Sequence, residues 1–279
     1  MSAGRKRSSP RSSGQGTPFF GTTIKTLAEA SQFMVKPAVP ISFDSFNFTV
    51  EEIEGYLGGI PDDPAFQKAL APKTYTTKSG EQLVIRPAEK AEAPAILQSL
   101  KPLIDGKYDK DFYHLVGVRT YAEVLAWQQN RLKDTYVIVA TKKDGELVGV
   151  VDHRFWDKNV AISLHTLVLK RAERVGVLLY VSKMEHAFDV VGVNEWWATF
   201  ESPFGFRLGF RFNHVTKAWP EMQHELGGAR IFYINRQQWE QYVKPFAKER
   251  NWLGSRPVDK ATLAKTKPLK PTTSIEIEF

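Results

Sequence analysis

The sequence predicts an α+β domain: a central mixed, mostly antiparallel sheet flanked by helices, with an irregular Phe-rich extension before it and a C-terminal helix and tail after it. Three observations carry this. Apolar runs at Tyr136–Thr141, Glu146–Phe155 and Val160–Leu169 are separated only by the tight connections Lys143-Asp144-Gly145 and Asp157-Lys158-Asn159, the pattern of consecutive hairpins. Helical periodicity at Ala91–Ile104 and Tyr121–Leu132 precedes that trio, behind a strand at Leu83–Arg86. A helix at Val177–Phe188 follows it, then short strands at Glu195–Phe200, Phe212–Ala218 and Arg230–Ile234, a helix or turn around Phe204–Leu208, and a closing helix Gln237–Ala247. No internal repeat interrupts this order.

The flanks read differently. Residues 1–18 are rich in Ser, Gly and Pro without apolar periodicity and form a flexible basic arm. Residues 19–80 form a wrapping extension. Phe33, Phe43, Phe46 and Phe48 lie in irregular sequence around Pro37, Pro40 and Pro61. Thr49 and Glu52 have capping-box spacing for a short helix to Leu57, and Asp62 can cap another through Phe66 and Leu70. So much aromatic surface with so little regular structure needs another surface to cover it, the main domain or a second copy of the chain bound through residues 19–70. Residues 81–250 are the folded domain and 251–279 a basic C-terminal tail.

The 279 residues carry a formal charge of +7. That charge is concentrated at the ends: residues 1–26 hold five basic and no acidic side chains, and residues 244–279 hold eight basic and four acidic. The central body is therefore slightly acidic, and any nucleic-acid partner is expected to meet the terminal segments. The absence of Cys excludes disulfides, a thiol nucleophile and thiolate-bound metal. No run reaches the ~18 apolar residues of a membrane span, and the basic N-terminus does not lead into a signal-peptide core. The expectation is a soluble protein of the cytoplasm, in a bacterium or a phage-infected host, with no membrane partner.

The turn after Leu169 reads Glu173-Arg174-Val175-Gly176-Val177-Leu178 and enters the helix containing Ala187; Gly192 follows it, and farther on stands Leu208-Gly209-Phe210. In this setting, over about residues 82–236, the chain resembles the GNAT N-acyltransferase family, whose signature [QR]-x-x-G-x-[GA] lies at the same strand-to-helix junction and whose "x-G-F" corner precedes a later strand. Gly176 matches the signature; Glu173 and Leu178 depart from it. The resemblance implies an acyl-CoA-dependent N-acyltransferase, acetyl-CoA or another acyl-CoA being the co-substrate. Val168, Arg171, Arg174, Val175, Gly176 and Val177 would hold the coenzyme. Amides at a helix start form a donor array for a diphosphate, and Gly lets the backbone come close. Lys170, Arg171 and Arg174 can supply positive charge beside it.

Such an enzyme works mainly by position, a strand amide at a bulge holding the thioester carbonyl while a deprotonated amine attacks. An unperturbed imidazole titrates near neutrality, so His165 suits proton abstraction, and Glu201 ends the next strand where the family places its reacting groups. Asp152 and His153 are further candidates, facing opposite sides of their strand. The family's tyrosine acid falls on Gly205, leaving Tyr180 or Ser202 to protonate the thiolate. No His pair has ligand spacing with a third ligand nearby, so no metal is expected. Trp156, Trp196, Trp197 and Trp219 can line a channel or stack bases, most of the tryptophans being expected in the core, and Trp239 with Tyr242 can form a docking face on the last helix. The acceptor is a small-molecule or macromolecular amine. Two other readings stay open: a catalytically silent GNAT-fold assembly or virion-type protein, and a phage enzyme that modifies nucleic acid held by the basic tails.

Overall fold

The computed structural model describes residues 64–105, 113–170, 173–200, 205, 208–209, 212 and 230–275. What the sequence predicts for residues 1–63, for the strand beyond Phe212, and for Arg171, Glu201, Ser202 and Trp219 lies outside the described residues. Seven strands form one sheet in chain order: β1 (Lys73–Thr76), β2 (Gln82–Pro87), β3 (Thr135–Lys142), β4 (Leu147–Phe155), β5 (Val160–Val168), β6 (Glu195–Phe200) and β7 (Arg230–Asn235). Every neighbouring pair is antiparallel except β5 and β6, which are parallel. Between β2 and β3 lie helices α1 (Ala93–Leu100) and α2 (Tyr113–Gln128), and between β5 and β6 lies α3 (Val175–Glu185), continued by a π-helical turn His186–Val191. A closing helix, α4, comprises Arg236–Gln238, a π turn Trp239–Val243 and Lys244–Glu249; a short helix, α5, covers Lys260–Lys265. This is the order of elements that the resemblance to GNAT N-acyltransferases implies.

Alternation along the strands builds two cores. In β3, Val137 and Val139 face Ile96, Leu100, Val124 and Trp127 of α1 and α2, whereas Ile138 and Ala140 join Leu178, Leu179, Val181 and Met184 of α3. Gly145, at φ 93, makes the β3–β4 turn that the Asp-Gly pair predicts. Gly149 stands where a Cβ would meet the Leu167 carbonyl oxygen and Leu179 Cδ1, both at 2.9 Å, so its lack of a side chain lets α3 lie against the sheet.

Several boundaries differ from the sequence expectation. β1 adds to the sheet, so residue 81 does not begin the domain but falls within the β1–β2 hairpin. The second helix begins at Tyr113, eight residues before the expected Tyr121, and Phe212 is helical where a strand was expected.

The C-terminal segment through residue 275 is docked, not a free basic tail. Arg86, fully buried, donates from Nε to Thr266 Oγ1 (3.0 Å) and from Nη2 to the Thr266 carbonyl (2.8 Å), while two nitrogens pair with Glu92 at 2.6 and 2.7 Å. A buried guanidinium needs acceptors, and this segment supplies them. Glu185 of α3 adds a second clasp, bonding Lys73 at 2.7 Å and Arg256 at 2.8 Å.

Candidate active site

The parallel pair β5–β6 is short. Its register runs Val160↔Glu195, Ala161↔Trp196, Ile162↔Trp197 and Ser163↔Ala198, and there it ends, although β5 continues for five residues and β6 for two. Beyond Ser163 and Ala198 the strands part. On its other side β5 stays paired with β4, through Thr166↔Val151, Leu167↔Val150 and Val168↔Gly149.

Leu169 N–H donates to the Val148 carbonyl at 2.8 Å. Alternation then directs the main-chain groups of Leu167 toward β4 and those of Thr166 and Val168 toward the parted side. Among the described residues no strand pairs with that edge. Tyr113, from the start of α2, donates its hydroxyl to the Val168 carbonyl.

A bulge sits at the point of parting. Two steps along β4, Val151 to His153, correspond to three along β5, Thr166 to Ser163, so Leu164 and His165 together oppose Asp152. The extra residue exchanges the faces of β5: Ala161 packs on the α3 side, while Leu167 and Leu169 pack on the α1–α2 side. Strict alternation puts Ser163 and His165 on one face; the bulge separates them. His165 is thereby turned toward α2, where both oxygens of Glu123 accept from its Nδ1, at 2.8 and 2.9 Å. A carboxylate on Nδ1 fixes the tautomer and leaves Nε2 as the basic nitrogen of the neutral ring. The His165 side chain retains 16% exposure, enough for a small group to reach it.

Behind His165 the cluster is buried. The amide of His165 donates to Asp152 Oδ1 at 3.2 Å, and Asp152 Oδ2 is buried without a partner. Burial first, then the neighbouring Glu123 carboxylate, pushes the Asp152 carboxyl well above the usual range, against the pull of His165 and Lys183. Lys183 reaches in from α3, fully buried, and donates to the carbonyls of Leu164 (3.1 Å), Asp152 (3.3 Å) and His165 (3.4 Å). Burial brings its ammonium down to about 7, opposed by Asp152 and Glu123.

At the far end of β5, α3 begins. Arg174 takes a left-handed conformation (φ 62) at the N-cap, and the first helical bond runs from Leu178 N–H to the Arg174 carbonyl, so the amides of Val175, Gly176 and Val177 have no intrahelical acceptor. A Cβ on Gly176 would meet only Val168 Cγ2, at 3.3 Å. The two departures from the motif lie elsewhere. Leu178 is fully buried in the core, and Glu173 accepts a 3.2 Å bond from the Ser79 amide in the β1–β2 turn. Neither fills the turn.

Other candidates do not join this cluster. Tyr180 is buried among Trp196, Phe200 and Phe212, and its hydroxyl accepts from the Trp196 indole at 3.1 Å. His153 faces the α3 side, where it pairs with His186. Trp196 and Trp239 are core residues; Trp156, 57% exposed, is at a hairpin tip. Glu123, Lys183 and Tyr113 carry the arrangement yet were not singled out in sequence. Lys183 had a signal, a lone cation within an apolar helix seven residues after Gly176, hence on the same face. Glu123 and Tyr113 had none, because only packing brings α2 to β5. Among the described residues no group of His, Asp and Glu side chains is placed to hold a metal ion, and no helix is long and apolar enough to cross a membrane.

No protein-family model and no curated protein matches the sequence. Solved structures similar to it include the PaiA N-acetyltransferase of Thermoplasma acidophilum in complex with coenzyme A, at 15% identity over 55% of this chain and 99% of that one, with a TM-score of 0.38. The GNAT domain of S. lividans PAT is 13% identical over 59% and 96%, with a TM-score of 0.43. A GCN5-related N-acetyltransferase from Brucella melitensis is 12% identical over 71% and 97%, also at 0.43.

Proposed function

We propose that the chain is an acyl-CoA-dependent N-acyltransferase, transferring an acyl group, acetyl in the simplest case, to an amine. The observation that carries this is the parting of β5 from β6 after Ser163 and Ala198, with the unpaired edge of β5 leading to the start of α3. A pantetheine arm carries two amides and can add to such an edge as a strand would, at Thr166 and Val168, displacing the Tyr113 hydroxyl. A diphosphate suits the amides of Val175, Gly176 and Val177 beside the cationic, exposed Arg174.

Chemistry at the bulge then follows from His165. Its Nε2 takes a proton from the acceptor ammonium, and the resulting amine attacks the thioester carbonyl. As the C–S bond breaks, the second proton that the attacking nitrogen must lose passes to the departing sulfur, so coenzyme A leaves as the thiol and the amide forms. Glu123 holds the ring and balances the imidazolium. The His165 amide is already bonded to Asp152, so the Thr166 amide, next along the open edge, is the donor assigned to the carbonyl oxygen. The same occupied groups, Val168 O and His165 N, favour the alternative of a silent scaffold.

One titration separates the two. Acetyl-CoA at about 100 times its Kd should raise the unfolding free energy by about 2.7 kcal/mol, because only the folded state binds. Gly176→Ala should leave this nearly unchanged, since Val168 Cγ2 is a single movable neighbour. Gly176→Glu should abolish it while the unliganded protein still melts cooperatively. No stabilisation of the wild type leaves only the scaffold.

A further inference from the structure

Lys183 is a fully buried cation, and the transfer chemistry above does not use it. Its surroundings are specific. The three N–H bonds of an ammonium find three carbonyls, those of Asp152 on β4 and of Leu164 and His165 on β5, which together make up the bulge. The two β5 carbonyls lie immediately past Ser163, the last β5 residue paired with β6 among the described residues. α3 runs back beneath β5, placing Gly176 against Val168 at one end and Lys183 against Leu164 and His165 at the other.

We propose that Lys183 is a positioning residue of the acyl-CoA site, its ammonium tying the Asp152 carbonyl of β4 to the Leu164 and His165 carbonyls of β5 so that the bulge keeps its shape and the two strands stay apart. The proposal rests on reading the opening as that site. Buried carbonyls that lose a donor are unfavourable; although Leu164 O keeps the Ser163 hydroxyl at 3.2 Å, a chain lacking this cation would satisfy the others by re-pairing β5 to β6 or by slipping the bulge. Either change moves the Thr166 and Val168 edge. The ionisable groups around Lys183 are Asp152 and His153 from β4 and Glu123 from α2, with the Tyr180 ring 5.3 Å away on α3 itself. Since burial leaves the ammonium titrating near neutrality, the edge should lose its shape as the pH rises above that point.

The test measures acetyl-CoA affinity by calorimetry between about pH 6 and pH 9, with hydrogen exchange of the Thr166 and Val168 amides in the unliganded protein. Wild-type affinity should fall, by up to about tenfold per pH unit above about 7. Lys183→Arg keeps a cation that does not titrate in this range, so it should bind and lose the pH dependence. Lys183→Met should bind at least tenfold more weakly at the low end, and exchange at Thr166 and Val168 should change while that of β3 does not. Equal affinity and an equal pH slope in wild type and Lys183→Met overturn the proposal. If the wild type binds no acetyl-CoA, the acyl-CoA reading fails, and exchange alone decides the role of Lys183: unchanged exchange at both amides refutes it. Should Lys183→Met fail to fold, the wild-type and Lys183→Arg profiles decide in its place, and parallel slopes refute the proposal.

Discussion

Acid should weaken this fold through one buried pair of imidazoles. His186 Nε2 donates to the Lys68 carbonyl at 2.7 Å, so its Nδ1 must be the acceptor of the 2.8 Å bond from His153 Nε2. His153 Nδ1 is then a buried acceptor without a partner. A second proton on His186 would set N–H against N–H inside a cage of Tyr136 and Phe155. Burial accordingly holds His186 at about 4, below its ordinary 6.5, and holds His153 well below the ordinary imidazole range in the same sense. Between those two values the unfolded chain takes up a proton that the folded chain refuses, so stability is greatest above the unfolded pKa and declines as the pH falls toward 4. At about 1.4 kcal/mol per pKa unit, His186 alone accounts for about 3 kcal/mol. Urea unfolding of wild type and His186→Leu at about pH 7 and pH 4 isolates this, because the carboxylate contributions common to both cancel. The variant should be less stable at pH 7, having removed the acceptor of His153, and should lose about 3 kcal/mol less than wild type on acidification. Losses equal to within about 0.5 kcal/mol would refute the tautomer assignment and the buried, neutral pair with it.

Three further outcomes follow from the geometry. His165→Ala should reduce acyl transfer by about 10²- to 10⁴-fold, read as thiol released from acetyl-CoA in the presence of an amine acceptor, and Glu123→Gln should reduce it less, with acetyl-CoA affinity retained in both. Gly149→Ala should cost about 1–3 kcal/mol in urea unfolding, because the new methyl meets a backbone oxygen and a leucine methyl at 2.9 Å. Arg86→Met strands the Glu92 carboxylate and frees Thr266, so it should cost about 3–5 kcal/mol and open the segment around α5 to limited proteolysis. An intact C-terminus at equal protease exposure would show that the Arg86 clasp does not hold the segment.

The fold was largely legible. The strand trio and its Asp-Gly turn, the helix after Gly176 and the strand at Glu195 lie close to where local pattern puts them, because period-two and period-3.6 alternation and turn chemistry are properties of short segments. The docking of the C-terminal segment was not. Its composition is that of a solvated tail, and what recruits Thr266 is a guanidinium buried 180 residues away. α2 was placed too late because its first two turns, from Tyr113, owe their burial to Leu103 and Val168 and not to a strong apolar stripe of their own.

The site divides along the same line. By itself the sequence determined that a glycine opens a helix directly after an antiparallel trio, that His165 lies on the strand before it, and that a lysine follows at two helical turns, since each of these depends only on order and spacing. The tertiary structure alone decided which way His165 points, what holds it, and where the sheet opens. A single extra residue in β5 turns the rest of that strand over, and nothing in a one-dimensional pattern marks a bulge, because its cause is the register of one strand against another.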